Sequence, residues 1–381
     1  MSLRGKIIQE IKAQGPIPFS RYMELCLYDP ELGYYSRSVE RFGKGGDFYT
    51  SSDVHAVFGR LLARQFDEMW RMLGSPPEIE ILELGPGRGL FAQDVLSWAQ
   101  KKFPGFFRAA HYSLLEKSRA LARKAALVLE PFIQAGRAAT LAPPGDRLLA
   151  RALPDEIPLI VFANEFFDAL PVEILSAQGK LLLGESDGRL VETWVPASDR
   201  ELGFLESYGV HPEEGERLEV PLQGQSYSSE AAGLLRHGFL VIVDYGYTRD
   251  EQIAGRHRGT LKSFRQHSIV ANPYESPGDQ DITADVNFTA LAASLQAGGT
   301  FAHPLRTQSQ FLMGIGEENH FADAFEDCRL PQERAKVALQ LKHLVTPAGM
   351  GESFHVLLGG KGVPQELAST LSGLSFGRGN Q

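Results

Sequence analysis

The stretch Ile81-Leu82-Glu83-Leu84-Gly85-Pro86-Gly87-Arg88-Gly89 runs from an apolar segment carrying one acid into three alternating glycines. From Leu90 onward the apolar residues recur at helical spacing. A strand, a tight loop and a helix in that order open a nucleotide-binding α/β unit. The glycines remove Cβ where backbone must approach a ligand, and Glu83 puts a carboxylate at the carboxyl end of the strand. The register is G-x-G-x-G with Leu at 90, so the dinucleotide fingerprint G-x-G-x-x-G is not met. An acid two residues before the first glycine points to S-adenosylmethionine instead. The alternative is a glycine-rich turn with no ligand.

Around this unit, strands are expected at 79–83, 111–116, 159–163 and 239–244, with helices at 90–102 and 119–129. Their alternation predicts an α/β fold with a mostly parallel sheet covered on both faces. Thr283 is positioned to cap a helix through Gln296, followed by strands near 310–315 and 353–358 that form an antiparallel edge. The segment 181–195 alternates about Ser186-Asp187-Gly188 and predicts a β-hairpin inserted after the fourth strand. A helix over 53–72 carries Val54, Val57, Phe58, Leu61, Leu62, Phe66 and Met69 on one stripe, which is core packing. Residues 247–280 show no periodicity and predict a long connection.

The chain of 381 residues is 43% hydrophobic and carries a net charge of −9, which argues against an extended nucleic-acid footprint. Two cysteines, Cys26 and Cys328, are too few for a disulfide framework or a thiolate metal site. The histidines form no H-x-x-x-H or H-E-x-x-H pair, so no metal is expected. With no membrane-length apolar run and no signal-like start, a cytoplasmic location is expected.

Chemistry-bearing residues fall at strand ends. Glu116 closes the second strand, where an acid can accept both ribose hydroxyls of a nucleoside; a merely exposed strand-end carboxylate is the alternative. Asp146 is a weaker candidate for an adenine amino group. The fourth strand ends in Asn164-Glu165-Phe166-Phe167-Asp168-Ala169-Leu170-Pro171. Two acids beside two aromatics suit a cationic, planar substrate, with a guanidinium held by Glu165 or Asp168. In the plainer reading Asn164 and Asp168 cap the turn. The loop Gly43 to Ser51, with Gly46, Phe48 and Thr50, either folds over the cofactor or simply caps the helix after it. Tyr34 and Tyr35 are core aromatics or pocket wall. His267 lies among Arg249, Arg256, Arg258, Lys262 and Arg265, which reads as a general base or phosphate site and more plainly as a solvated basic loop.

These pieces resemble the MidA-like family of class I S-adenosylmethionine-dependent methyltransferases, which includes the mitochondrial arginine methyltransferase needed for respiratory complex I assembly. The likeness rests on Tyr22-Met23, Gly33-Tyr34-Tyr35, Gly46-Asp47-Phe48 with Thr50-Ser51, Phe58-Gly59, the Glu83 to Gly89 loop and the Asn164 to Pro171 string. Asp244-Tyr245-Gly246, Gly259-Thr260-Leu261 and Asp281-Ile282-Thr283 continue it. The chain departs from the family at Ser52 and Asp53, where Pro and Glu are usual. It departs again at Asn287, where an Asp is common.

The resemblance implies a Rossmann-like seven-stranded sheet with an N-terminal helical cap over 1–75 and a methyltransferase core over 76–381. Insertions fall near 176–235 and 319–348. It implies a cofactor site of Gly46, Phe48, Thr50, Glu83, Gly85, Gly87 and Glu116, and catalytic Asn164, Glu165 and Asp168. The expected function is methylation of a protein arginine nitrogen. The alternatives are a partner-binding assembly factor with weak or no catalysis, a small-molecule N- or O-methyltransferase and, last, a nicotinamide dehydrogenase.

Overall fold

The computed structural model describes residues 1–37, 56–143, 156–265, 268–270 and 272–377. Its central sheet is built from β1 (Ile79–Leu84), β2 (Ala110–Leu115), β3 (Ala138–Leu141), β4 (Leu159–Asn164), β5 (Gly238–Tyr247), β6 (Phe301–Ala302) and β7 (Phe354–Lys361). The spatial order is β3-β2-β1-β4-β5-β7-β6. All neighbours from β3 to β5 pair parallel, and β7 runs antiparallel to both β5 and β6. Two-residue strands at Val286–Asn287 and Arg306–Thr307 join β5 and β7, making nine strands among the described residues. The order reverses between β1 and β4, and open α/β sheets bind ligands at that switch, outside the carboxyl ends of the strands.

The parallel strands are buried on both faces, as continuous apolar runs require. Period-two alternation sends Ile79 and Ile81 of β1, Ile160 and Phe162 of β4, and Phe239, Val241 and Val243 of β5 to one face. There they meet helices Ala56–Met72 and Leu90–Lys102. Leu82, Leu84, Val161, Leu240 and Ile242 point to the other face, with Phe167, Tyr227 and Phe288. By the same alternation Glu83 and Asn164 continue the first face and Asp244 the second.

A third core joins the N-terminal helices Leu3–Gln14 and Phe19–Tyr28 to the inserted strands: Ile7, Phe19, Tyr22 and Met23 pack with Ile174, Leu181 and Leu183. The hairpin of Gly179–Ser186 with Arg189–Val195 turns at Asp187 and Gly188, both with positive φ. A two-residue turn needs that backbone to match the strand twist. Helix Ala56–Met72 packs instead against the central sheet.

The structure corrects three expectations. The strand expected near 310–315 is helix Gln308–Glu317. Thr307 accepts from Gln310 N and Gln310 from Thr307 N, a reciprocal cap that favours helix, while Phe311, Leu312 and Ile315 face the core. The helix expected from Thr283 begins at Phe288; Thr283 lies in strand Asp281–Thr283, and Asn287 caps the helix by accepting from Ala290 N at 3.0 Å. The connection 247–280 carries helix Arg249–Ile253 and strands Lys262–Arg265 and Ser268–Ile269, which pair with Asp281–Thr283 in a three-stranded sheet.

Phe162 is fully buried, stacked on Phe91 with ring centroids 4.4 Å apart and edge-on to Phe66 at 5.6 Å. Phe162→Ala is expected to lower unfolding free energy by about 3–5 kcal/mol, the usual cost of a buried Phe cavity. Urea denaturation showing a loss under about 1 kcal/mol would contradict this packing.

Candidate active site

A cleft holding about 1340 Å³ of non-protein space, part of it open to solvent, lies over the carboxyl ends of β1, β2 and β4. Its glycine loop is pinned to β2 by Gly85 N donating to Leu115 O at 3.0 Å. Gly85 has φ +64, and a Cβ there would stand 2.8 Å from the Phe166 ring, so a side chain is excluded twice over. Gly87 has φ +55 and faces open space, leaving its backbone approachable. Glu116 clasps the loop: Oε2 accepts from Gly87 N at 3.1 Å and Oε1 from Ser118 N at 2.8 Å. The Lys117 backbone N–H also acts on this carboxylate, which retains acceptor capacity beyond these donors. Ser118 Oγ in turn donates to Tyr35 O at 2.7 Å, which ties the N-terminal segment to the same corner.

Burial pushes the Glu83 carboxyl up to about 8; the Tyr112 hydroxyl, donating at 3.0 Å, offsets part of this, and the nearby Glu116 adds to it. Burial also raises Glu116 to about 7 against the backbone donors of Ser118 and Gly87.

At the end of β4 the chain turns sharply, with Glu165 at φ +50, a region sparsely used by residues with a Cβ. Asp244, at the end of β5, holds the turn. Its Oδ2 accepts from Phe166 N at 3.2 Å, Phe167 N at 3.0 Å and Asp168 N at 3.4 Å. Tyr245 donates its hydroxyl to Asp168 Oδ2. Asp168 Oδ1 has no hydrogen-bond partner among the described residues, although Asp168 is 4% exposed and lines the cleft. Burial raises Asp168 to about 6, partly offset by the Tyr245 hydrogen bond. Asn164 Nδ2 donates to Glu165 Oε1 at 3.2 Å. Phe166 stacks on Tyr227, which walls the cleft.

Glu83, Gly85, Gly87, Glu116, Asn164, Glu165 and Asp168 are therefore gathered in one cleft. Gly46, Phe48, Thr50, Asp146 and His267 lie outside the described residues. Tyr34 belongs to the core, whereas Tyr35 lines the cleft and donates to Asp281 Oδ1 at 2.9 Å. The basic side chains of 249–262 are occupied locally. Arg249 donates to the carbonyls of Glu206 and Gly209, Arg258 pairs with Glu216 and Lys262 with Asp285. Residue chemistry alone missed Asp244 and Tyr245 as supports. The available signal was an acid closing the apolar run Phe239 to Val243.

A family model described as S-adenosyl-L-methionine-dependent methyltransferase matches residues 61–305. The chain belongs to this family. A Burkholderia thailandensis protein crystallised with S-adenosylhomocysteine superimposes with a TM-score of 0.82 at 26% identity, covering 98% of this chain and 94% of that one. The mitochondrial protein arginine methyltransferase NDUFAF7 homolog of Drosophila melanogaster is 30% identical, covering 93% of this chain and 84% of the relative. The human NDUFAF7 is 26% identical over 92% and 81%. The cofactor of the methyltransferase is S-adenosylmethionine. The cytoplasmic expectation is overturned by these relatives, which are named as mitochondrial. Scarce cysteines indicate only that thiols are not needed for cross-links, and that does not separate one reducing compartment from another. No helix among the described residues is long and apolar enough to cross a membrane.

A carboxyl raised from 4.5 to about 8 on folding contributes stability that is fully present below pH 4.5 and lost as pH climbs to 8. The ligand-free methyltransferase is therefore expected to lose stability between pH 5 and 8, on the order of a few kcal/mol through Glu83. Glu83→Gln should flatten that slope in denaturant titrations across the range. An unchanged slope would show that Glu83 ionises freely.

Proposed function

We propose that the methyltransferase methylates a guanidinium nitrogen of an arginine side chain in a protein. The observation that carries this reading is Asp168, a buried carboxylate with one oxygen fixed by Tyr245 and the other unpartnered beside the glycine loop. A half-satisfied buried acid is costly unless a cation completes it. The names of the relatives, protein arginine methyltransferases, support the same acceptor.

The residues present fit the cofactor. Gly87 puts no side chain into the space before helix Leu90–Lys102, whose amino end favours a ligand carboxylate. Glu116 has lone pairs for two ribose hydroxyls, and Glu83 suits a cationic amino group. The family resemblance adds Gly46, Phe48 and Thr50 to the cofactor site, three positions outside the described residues. When bound, S-adenosylmethionine supplies a sulfonium methyl: its C–S bonding pair stays on sulfur as the acceptor nitrogen forms the new C–N bond.

Asp168, with Glu165 and Asn164 beside it, orients the guanidinium through charge-assisted hydrogen bonds and takes the proton that the nitrogen sheds, passing it to solvent. Asp244 and Tyr245 act as positioning residues, because they fix the β4 turn and the Asp168 carboxylate. Most of the acceleration comes from orientation and exclusion of water.

Asp168→Asn keeps the shape and removes the base. It is expected to lower the rate of labelled-methyl transfer into protein by about 10²-fold or more while S-adenosylhomocysteine affinity is retained. Label appearing only in small molecules would overturn the protein acceptor. Transfer at the wild-type rate by the variant would overturn the role of Asp168.

A further inference from the structure

The acceptor side of the cleft has a second wall that none of the roles above includes. Asp281 opens the short strand Asp281–Thr283, 4% exposed, and its side chain lines the same cleft as Asp168. Its Oδ1 accepts the Tyr35 hydroxyl at 2.9 Å. Three segments remote in sequence are stitched together here. Ala284 N donates to Asp168 O at 3.0 Å, and Tyr28 OH donates to Ala169 O at 3.1 Å. The rings of Tyr28 and Tyr35 stand 5.4 Å apart, and both line the cleft with the two acids. The β4 turn, the strand after the long connection and the N-terminal segment thus close one acidic, aromatic-walled compartment.

We propose that Asp281, oriented by Tyr35, is a second carboxylate for the acceptor cation, so that the guanidinium is held between Asp281 and the open oxygen of Asp168 against the tyrosine rings. This rests on the guanidinium reading of the cleft and extends it to residues outside the β4 string. A planar guanidinium presents donors along several edges and can satisfy two carboxylates at once, while its face suits aromatic rings. Two buried acids lining one cleft favour a cationic acceptor over a neutral one. Burial, and then the charge of Asp281, raise the Tyr35 hydroxyl well above its ordinary value, so Tyr35 stays a donor and keeps the Asp281 carboxylate aimed. The N-terminal segment and the long connection then have a task at the site, because they carry Tyr28, Tyr35 and the strand that ends the connection.

The test uses the full chain saturated with S-adenosylhomocysteine, titrated by calorimetry with a Gly-Arg-Gly peptide blocked at both ends and with its citrulline counterpart, which has the same shape and no charge. The wild type is expected to prefer arginine by about tenfold or more. Asp281→Asn, which keeps an oxygen for the Tyr35 hydroxyl and removes only the charge, should cut that ratio severalfold, Asp168 retaining part of the preference, with the affinity for S-adenosylhomocysteine unchanged. Tyr35→Phe should lower it in the same direction and less.

A wild-type preference that survives Asp281→Asn intact overturns the proposal while leaving the arginine reading in place. A wild type that binds both peptides alike overturns the arginine reading itself, and the proposal with it. Should Asp281→Asn fail to bind S-adenosylhomocysteine, Tyr35→Phe decides: an unaltered ratio in that variant overturns the proposal.

Discussion

Asp244 Oδ2 gathers the backbone N–H groups of Phe166, Phe167 and Asp168, and the arrangement of the acceptor side follows from that contact. Three successive amides can converge on one oxygen only if the chain folds back on itself after β4, which explains the left-handed backbone at Glu165. The sheet sets the anchor in place. β4 and β5 pair in parallel with Val243 opposite Asn164, so the next residue on each strand begins the turn and meets its anchor. Asp244 can take this role because period-two alternation points it to the face where Phe167 packs. An amide donor lost from such a buried carboxylate would cost more than an ordinary surface hydrogen bond, since the acid has no water to replace it.

The cleft concentrates acids that burial forces upward. Glu83, Glu116 and Asp168 all lie above the ordinary carboxylate range, with burial as the first cause in each. A binding site in this condition stores part of its affinity as unmet charge. Glu83, Glu116 and Asp168 all line the one cleft, so a cation arriving there relieves a cost that the fold carries by itself. The same bias disfavours anionic ligands near the acceptor. The described basic groups on the cleft wall are Arg88 and Lys117; Lys117 pairs with Glu24 and lies over the Tyr28 ring.

What the sequence makes legible is what local chemistry determines. Gly85 and Gly87 announce a loop because glycine takes left-handed backbone without a Cβ penalty, and Asp187-Gly188 announces a hairpin because Asp and Gly are the residues that most readily adopt it. Glu83, Glu116 and Asp168 could be placed because strand ends are punctuated by acids after apolar runs. Helix Gln308–Glu317 escaped because Phe311-Leu312-Met313 with Ile315 is a short apolar run that also reads as a buried strand, and only the reciprocal cap of Thr307 and Gln310 decides for helix. The start at Phe288 escaped because Thr283 is as good a cap in sequence as Asn287. What removes Thr283 is the pairing of its strand with Lys262–Arg265, a contact across a long connection that local pattern does not record. Asp281 was quotable as part of a motif, yet its partner Tyr35 is 246 residues away.

That separation also gives the accessory parts a physical reason to exist. Helices Leu3–Gln14 and Phe19–Tyr28 do not reach the central core; they bury Ile7, Phe19, Tyr22 and Met23 against the inserted strands and against Ile282. Ile282 and Asp281 are neighbours on a strand and so point to opposite faces. Burying Ile282 in the cap core turns Asp281 toward the cleft. The two hydroxyls of the N-terminal segment then have defined targets, Tyr35 on Asp281 and Tyr28 on Ala169 O. Packing free energy gathered far from the chemistry is in this way converted into the orientation of one carboxylate. The same logic operates on the other side of the cleft, where apolar packing around Phe167 steadies the backbone that Asp244 holds. Two separate hydrophobic cores thus bear on a single polar compartment, and a change in either reaches the acceptor through a hydrogen bond.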